Sequence, residues 1–249
     1  LKPTAPLQEK LYKEFLGRIK QTDQDVPVQD RGYWYYSRTV EGKQYPIHCR
    51  RKGALEAPEE VLLNGNELAT GEKYFAFGDQ HVSDDGNLLA YTTDTTGFRE
   101  YTLFVKNLRT GKLVEDKLVK APMFEWASDN RTLFYLTEDE AKRANKVWRH
   151  TVGTPRDKDE VIFEEKDELF WLELSKSRDG KYLFFNDSND PSVDTNLHWA
   201  RRIDDVTFEA HNRTWDLGQG SPESEPGSVP KVFTDPRPPY GRIGLVMRR

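Results

Sequence analysis

The sequence predicts an all-β fold, a partial β-propeller of about three blades preceded by an N-terminal amphipathic helix, and two repeats that move together predict it. The phrase Asp85-Gly86-Asn87-Leu88-Leu89-Ala90-Tyr91 returns as Asp129-Asn130-Arg131-Thr132-Leu133-Phe134-Tyr135 and again as Asp179-Gly180-Lys181-Tyr182-Leu183-Phe184-Phe185, at steps of 44 and 50 residues. The strand-like runs centred on Leu103, Val147 and Leu197 keep the same two steps. A period of about 40–50 residues with several strands per unit is the signature of propeller blades. Aromatic residues make up 12% of the 249-residue chain, which supplies large side chains for the seams between sheets.

Residues 8–20 open the chain with Leu11, Phe15, Leu16 and Ile19 at helical spacing. They predict a short amphipathic helix that needs a partner surface. Asp23, Asp25, Pro27 and Asp30 then punctuate a loop. From Gly32 the period becomes strand-like. Residues 33–39 and 44–50 flank Glu41-Gly42-Lys43, a hairpin turn with glycine where a positive φ is cheap. Val61-Leu62-Leu63 ends in a second expected turn, Asn64-Gly65-Asn66.

Each later unit repeats one grammar: an Asp-Gly or Asp-Asn turn, an apolar inner strand, a second strand, a hairpin such as Arg109-Thr110-Gly111, and an outer strand such as Leu113-Val114 or Val161-Ile162-Phe163. An aromatic-rich approach precedes each Asp turn: Tyr74-Phe75-Ala76-Phe77, Phe124-Glu125-Trp126 and Leu169-Phe170-Trp171. These side chains are expected to wedge between blades. Residues 195–211 are expected to form a strand pair around Asp204-Asp205. Residues 216–249 hold six prolines and five glycines, a linker composition. The expected organisation is therefore 1–31 helix and linker, 32–213 partial propeller, and 214–249 an irregular Pro/Gly-rich tail.

Composition narrows the function. The formal charge of −5 is spread along the chain, unlike a nucleic-acid footprint. No apolar run approaches the roughly 20 residues that span a bilayer. Cys49 is the single cysteine, so no intrachain disulfide forms, and a cytoplasmic setting is expected. The chain opens on Leu1 without a signal pattern and is read as a cut or processed end.

The residues that carry chemistry elsewhere have structural readings here. His48, His81, His150, His198 and His211 are scattered without zinc-ligand spacing. Ser177-Arg178-Asp179-Gly180 is expected to be a turn, because its repeat equivalents are turns. The acidic run Glu164-Glu165-Lys166-Asp167-Glu168 reads as a solvated blade edge, with attraction of basic peptides as the alternative. Asn130-Arg131-Thr132 and Asn212-Arg213-Thr214 match the glycosylation sequon without a secretion signal to support its use. No Gly-rich phosphate cradle is present, and no cofactor or metal is expected.

Several long phrases resemble the N-terminal region of the prolyl oligopeptidase family of serine peptidases, most closely the oligopeptidase B branch. They include Gly32-Tyr33-Trp34-Tyr35-Tyr36-Ser37-Arg38-Thr39, Tyr45-Pro46-Ile47-His48-Cys49-Arg50-Arg51-Lys52 and Leu62-Leu63-Asn64-Gly65-Asn66. Further matches are Tyr91-Thr92-Thr93-Asp94-Thr95-Thr96-Gly97, Val147-Trp148-Arg149-His150-Thr151-Val152-Gly153-Thr154-Pro155 and Glu164-Glu165-Lys166-Asp167. The likeness runs from about residue 5 to about residue 188.

The resemblance implies a seven-bladed propeller over an α/β-hydrolase domain with a Ser-Asp-His triad, cleaving short peptides after Lys or Arg. It also implies that the propeller gates substrate and that the N-terminal helix packs on the hydrolase domain. The chain contains no Gly-x-Ser-x-Gly nucleophile elbow, so no triad residue is carried over and the chain alone is expected to be inactive. The expected partners are the remaining blades and hydrolase domain of the same protein, and short peptides. No nucleic acid or membrane is expected as a partner. A non-enzymatic propeller-type interaction module is the alternative reading.

Overall fold

The computed structural model describes residues 4–177, 180, 182–188, 195–202, 208–213, 231–234 and 243–246. A helix, α1 (Ala5–Arg18), comes first, with proline in its first turn, where a missing N–H costs nothing. Its surface carries the ion pairs Lys13–Glu9 and Arg18–Glu14. None of its residues is buried, and Phe15 is 63% exposed beside Leu11, Leu16 and Ile19.

Among the described residues, four antiparallel sheets of four strands follow, each a meander in chain order. The first comprises β1 (Val28–Asp30), β2 (Tyr33–Arg38), β3 (Ile47–Lys52) and β4 (Glu59–Asn64). A one-turn helix, α2 (Gly65–Leu68), leads to the second sheet: β5 (Ala76–Val82), β6 (Leu88–Asp94), β7 (Thr102–Asn107) and β8 (Leu113–Val119). The third holds β9 (Phe124–Trp126), β10 (Thr132–Glu138), β11 (Ala144–Thr151) and β12 (Glu160–Glu164). The fourth holds β13 (Trp171–Lys176), β14 (Tyr182–Ser188), β15 (Thr195–Arg202) and β16 (Phe208–Arg213). The fold is the expected partial propeller, with four sheets where about three blades were anticipated.

Three elements differ from expectation. β1 lies within residues 1–31, assigned above to helix and linker, and joins the first sheet through Val28↔Tyr35 and Asp30↔Tyr33. Asn64-Gly65-Asn66 is the start of α2 rather than a plain turn, with Asn64 capping the Asn66 N–H at 3.1 Å. Glycine is required at 65 because a Cβ there would meet Tyr45 Cβ at 2.7 Å and the Phe77 ring at 2.8 Å. Residues 216–249 form a separate unit in which β17 (Lys231–Thr234) pairs antiparallel with β18 (Ile243–Val246), inside the stretch expected to be an irregular tail. The expected pair around Asp204-Asp205 is β15 with β16, while the turn itself lies outside the described residues.

The core is divided among the seams between consecutive sheets. Leu62 and Leu63 of the first sheet meet Leu89 and Tyr91 of the second. Ala90, Leu103, Val105 and Leu118 of the second meet Phe124, Trp126, Leu133 and Tyr135 of the third. Phe134, Leu136 and Val147 of the third meet Leu172, Leu174, Leu183 and Phe185 of the fourth. Strand β10 is therefore apolar on both faces: Leu133 and Tyr135 serve one seam, Phe134 and Leu136 the next. Each such side chain contributes roughly 1.5–3 kcal/mol on burial.

The repeat that defined the fold is a four-residue turn. Ser83, Ala127 and Ser177 each donate their N–H to the residue five further on, Leu88, Thr132 and Tyr182. Gly86, Asn130 and Gly180 occupy the left-handed position at φ 75°, 59° and 71°. Glycine or asparagine is therefore needed there, since Cβ strain penalises other residues. The equivalent turn of the first sheet is the shorter Arg31-Gly32 pair, both at positive φ.

Candidate functional site

Strand β5 carries a tightly packed bulge. Its pairing with β6 shifts register between Phe77 and Gln80, a bulge that sets Gly78 and Asp79 opposite the single Thr92. A Cβ at Gly78 would meet Thr92 Oγ1 at 2.2 Å and the Tyr101 ring at 2.8 Å, so only glycine lets the backbone sit this close. The Asp79 N–H donates to Thr92 Oγ1 at 2.8 Å. Such bulges re-aim side chains; beyond this one stand Asp79, Gln80 and His81 in sequence.

A cleft of about 520 Å³ lies between the first two sheets, lined in part by Asp25, Asp30, Tyr35, His48, Gln80 and His81. Its size falls within the usual range for small-molecule sites. The Gln80 carboxamide nitrogen lies 2.8 Å from His48 Nδ1, and the His48 ring meets Phe77 edge-on at 4.9 Å. Burial lowers the His48 pKa, so the imidazole is held neutral and Nδ1 accepts from the Gln80 amide. Asp25 accepts from the Ser37 hydroxyl at the rim.

Charged groups on the first strands and first turns link all four sheets. Arg31 Nη2 of the first sheet reaches Asp84 Oδ1 of the second at 3.1 Å, and Lys176 Nζ of the fourth reaches the same oxygen at 3.3 Å. His81 Nε2 lies 2.9 Å from Asp79 Oδ1, and its Nδ1 lies 3.6 Å from Glu125 Oε2 of the third sheet. Burial opposes the imidazolium, but the hydrogen bond to Asp79 and the charges of Asp79 and Glu125 outweigh it, so the His81 pKa is raised. Burial likewise raises the Glu125 pKa against the pull of His81 and Lys176.

A second, recurring pattern of contacts lies at the repeated turns. Arg50, buried and held bidentate by Glu60, donates from Nη1 to the Gly86 carbonyl at 2.9 Å and lies 4.1 Å over the Tyr33 ring. Ser128 Oγ donates to the Gly180 carbonyl at 3.0 Å. The turns that the sequence marks thus also hold neighbouring sheets in register.

The structure separates the sequence candidates. His48 and His81 come together at the cleft. His150 is buried in the third sheet, with Nδ1 2.7 Å from Asp159 Oδ1, whose other oxygen accepts from Tyr135 Oη at 2.7 Å. The side chains of His198 and His211 lie outside the described residues. Among the described residues no group of three metal-ligating side chains gathers. Ser177 and Gly180 close a turn, with the Tyr182 N–H donating to Ser177 Oγ at 2.9 Å.

The acidic run that begins at the end of β12 is mostly exposed, and Arg143 anchors it through the Asp167 carbonyl at 2.7 Å and the residues after it through the Phe170 carbonyl at 2.9 Å. Of the aromatic approaches, Phe75, Phe124 and Trp126 are buried as expected, whereas Tyr74, Leu169 and Trp171 are exposed. Asn130 of the sequon is partly buried, and its carboxamide is occupied by a contact across a seam. The charged links Asp79–His81–Glu125 and Arg31–Asp84–Lys176 were not anticipated. The one sequence signal for them was Gly78 inside a strand pattern, which flags a bulge.

The fold and its seams define a portion of a β-propeller. Residues 1–211 match the family described as prolyl oligopeptidase, N-terminal beta-propeller domain, and the chain belongs to the prolyl oligopeptidase family. It is 43% identical over 198 residues to dipeptidyl aminopeptidase BI of Pseudoxanthomonas mexicana, covering 73% of this chain and 27% of that protein. It is 36% identical over 197 residues to protease 2 of Moraxella lacunata, covering 76% of this chain and 29% of the relative. Oligopeptidase B from Leishmania major superimposes with a TM-score of 0.79 at 28% identity, covering 86% of this chain and 31% of that one. The chain thus spans less than a third of the length of these relatives.

Proposed function

We propose that these sheets form the substrate-gating part of an oligopeptidase B-like serine peptidase that cleaves short peptides after Lys or Arg. The observation that carries this reading is the combination of a family match over residues 1–211 with coverage of only 27% of a peptidase relative. The catalytic groups then belong to an α/β-hydrolase domain of the same polypeptide, since no nucleophile elbow occurs in this sequence. The exposed Leu11, Phe15 and Leu16 stripe of α1, with Ile19 just past its end, supports docking to that domain, because an apolar helix face gains stability only against a partner. No described helix is long and apolar enough to cross a membrane. The lone Cys49 fits a cytoplasmic setting.

The test is the mass of the native product in source-cell extract, read with an antibody against residues 30–190, together with assay of the purified chain on Arg and Lys ester substrates. A band far above 29.0 kDa and an inert purified chain are expected. A native band at 29.0 kDa would overturn the peptidase reading and favour a free-standing interaction module.

A further inference from the structure

The His81 imidazole stands where the second and third sheets meet at their first strands. On its own strand Asp79 lies at 2.9 Å and Gln80 turns away to His48. From β9, Glu125 approaches at 3.6 Å, the Phe124 ring meets the imidazole edge-on at 5.4 Å, and the Trp126 indole N–H donates to the His81 carbonyl at 2.9 Å. From β13, Lys176 bears on the same cluster, but its ammonium is drawn to Asp84, which Arg31 also holds. From the first sheet and the loop before it, Asp25, Asp30, Arg31 and His48 line the same cleft as His81, with His48 kept neutral by burial.

The charge balance of this cluster depends on one proton. With His81 neutral, the Asp79 and Glu125 carboxylates lose the imidazolium that lies between them, and Glu125 keeps the Lys176 backbone N–H and the pull of an ammonium that is paired with Asp84. With His81 protonated, the imidazolium donates to Asp79 from Nε2 and points Nδ1 at Glu125, so one cation bridges two carboxylates on different sheets. We propose that His81 is a proton-operated clasp between the second and third sheets, closing the seam near its first strands when charged and loosening it when neutral. The clasp is independent of the peptidase reading, because it acts within the sheets described.

The sign follows from linkage. A histidine whose folded pKa is raised stabilises the fold most fully below its unfolded pKa, and that stabilisation is lost as pH rises through the folded value. Two measurements on the full chain test the clasp. In the first, the His81 Cε1–H resonance is titrated in the wild type and in Glu125→Gln. The clasp requires its pKa to fall in the variant by on the order of one unit, and an unchanged value would overturn the proposal. In the second, the thermal midpoints of wild type and His81→Gln are compared from acid to alkaline pH. The wild type is expected to lose its advantage as pH rises through the His81 titration, whereas parallel pH profiles would also overturn it. The titration requires only that Glu125→Gln fold, and Asp79→Asn reads separately the contribution of the carboxylate on His81's own strand.

Discussion

The Asn130 carboxamide oxygen accepts the backbone N–H of Asp85 at 2.8 Å, across the seam between the second and third sheets. Asn130 does this from a backbone at φ 59°, the position its two repeat equivalents fill with glycine. One residue therefore satisfies both a turn and an inter-sheet contact. Asn130→Gly keeps the turn and loses the acceptor, and is expected to cost about 1 kcal/mol. Asn130→Ala adds the left-handed strain and is expected to cost about 1–2 kcal/mol more. Urea denaturation of both variants reads the difference.

Glycine substitutions separate crowding from backbone strain. Gly111 lies at φ 69° with open space around a Cβ, so Gly111→Ala is expected to cost about 1 kcal/mol from the turn alone. Gly78→Ala meets Thr92 and Tyr101 and is expected to cost about 1–3 kcal/mol, with the bulge displaced. Thermal melts give the ranking, and equal losses would contradict the close approach at Gly78.

Burial predicts a wide spread among aromatic truncations. Phe134 is wholly buried, so Phe134→Ala is expected to cost about 3–5 kcal/mol. Phe98 is 76% exposed, and Phe98→Ala is expected to change stability by no more than about 0.5 kcal/mol. Chemical denaturation with a constant m-value checks both.

Acid stability has an identifiable contributor in the first sheet. The Arg38 guanidinium hydrogen-bonds Glu59 and holds its pKa down to about 2, against its burial and with help from Tyr36. A depressed carboxylate pKa stabilises above the unfolded value and is lost as pH falls through the folded one. Glu59→Gln is therefore expected to flatten the decline in stability between about pH 4.5 and pH 2, measured against the wild type.

Cys49 is 1% exposed, and burial pushes its thiol pKa up to about 11. The native chain is expected to resist alkylation at pH 8 and to react once denatured. Rapid labelling of the folded protein would contradict this burial.

The repeated sheets were legible because side-chain alternation and turn chemistry are local. Asp-Gly and Asp-Asn mark the turns, and Leu103 and Val147 take the same place beside Thr92 and Leu136. The first sheet was harder to count because its Arg31-Gly32 turn is two residues shorter than its equivalents, so the repeated phrase never forms. The cleft was not legible. His48 and His81 lie on different sheets, and Asp84 and Lys176 are 92 residues apart, so only the stacking of sheets brings these groups together. Periodicity reports which face of a strand is apolar, and it carries no information on which distant strand will face it.

Because each seam is built from two neighbouring sheets, folding energy in these residues is shared pairwise along the chain, as in a linear array of coupled units. A sheet formed early offers the next one a finished apolar wall and a fixed turn to bond. Assembly can then advance during synthesis from the amino end, and damage at one seam weakens chiefly the two sheets it joins.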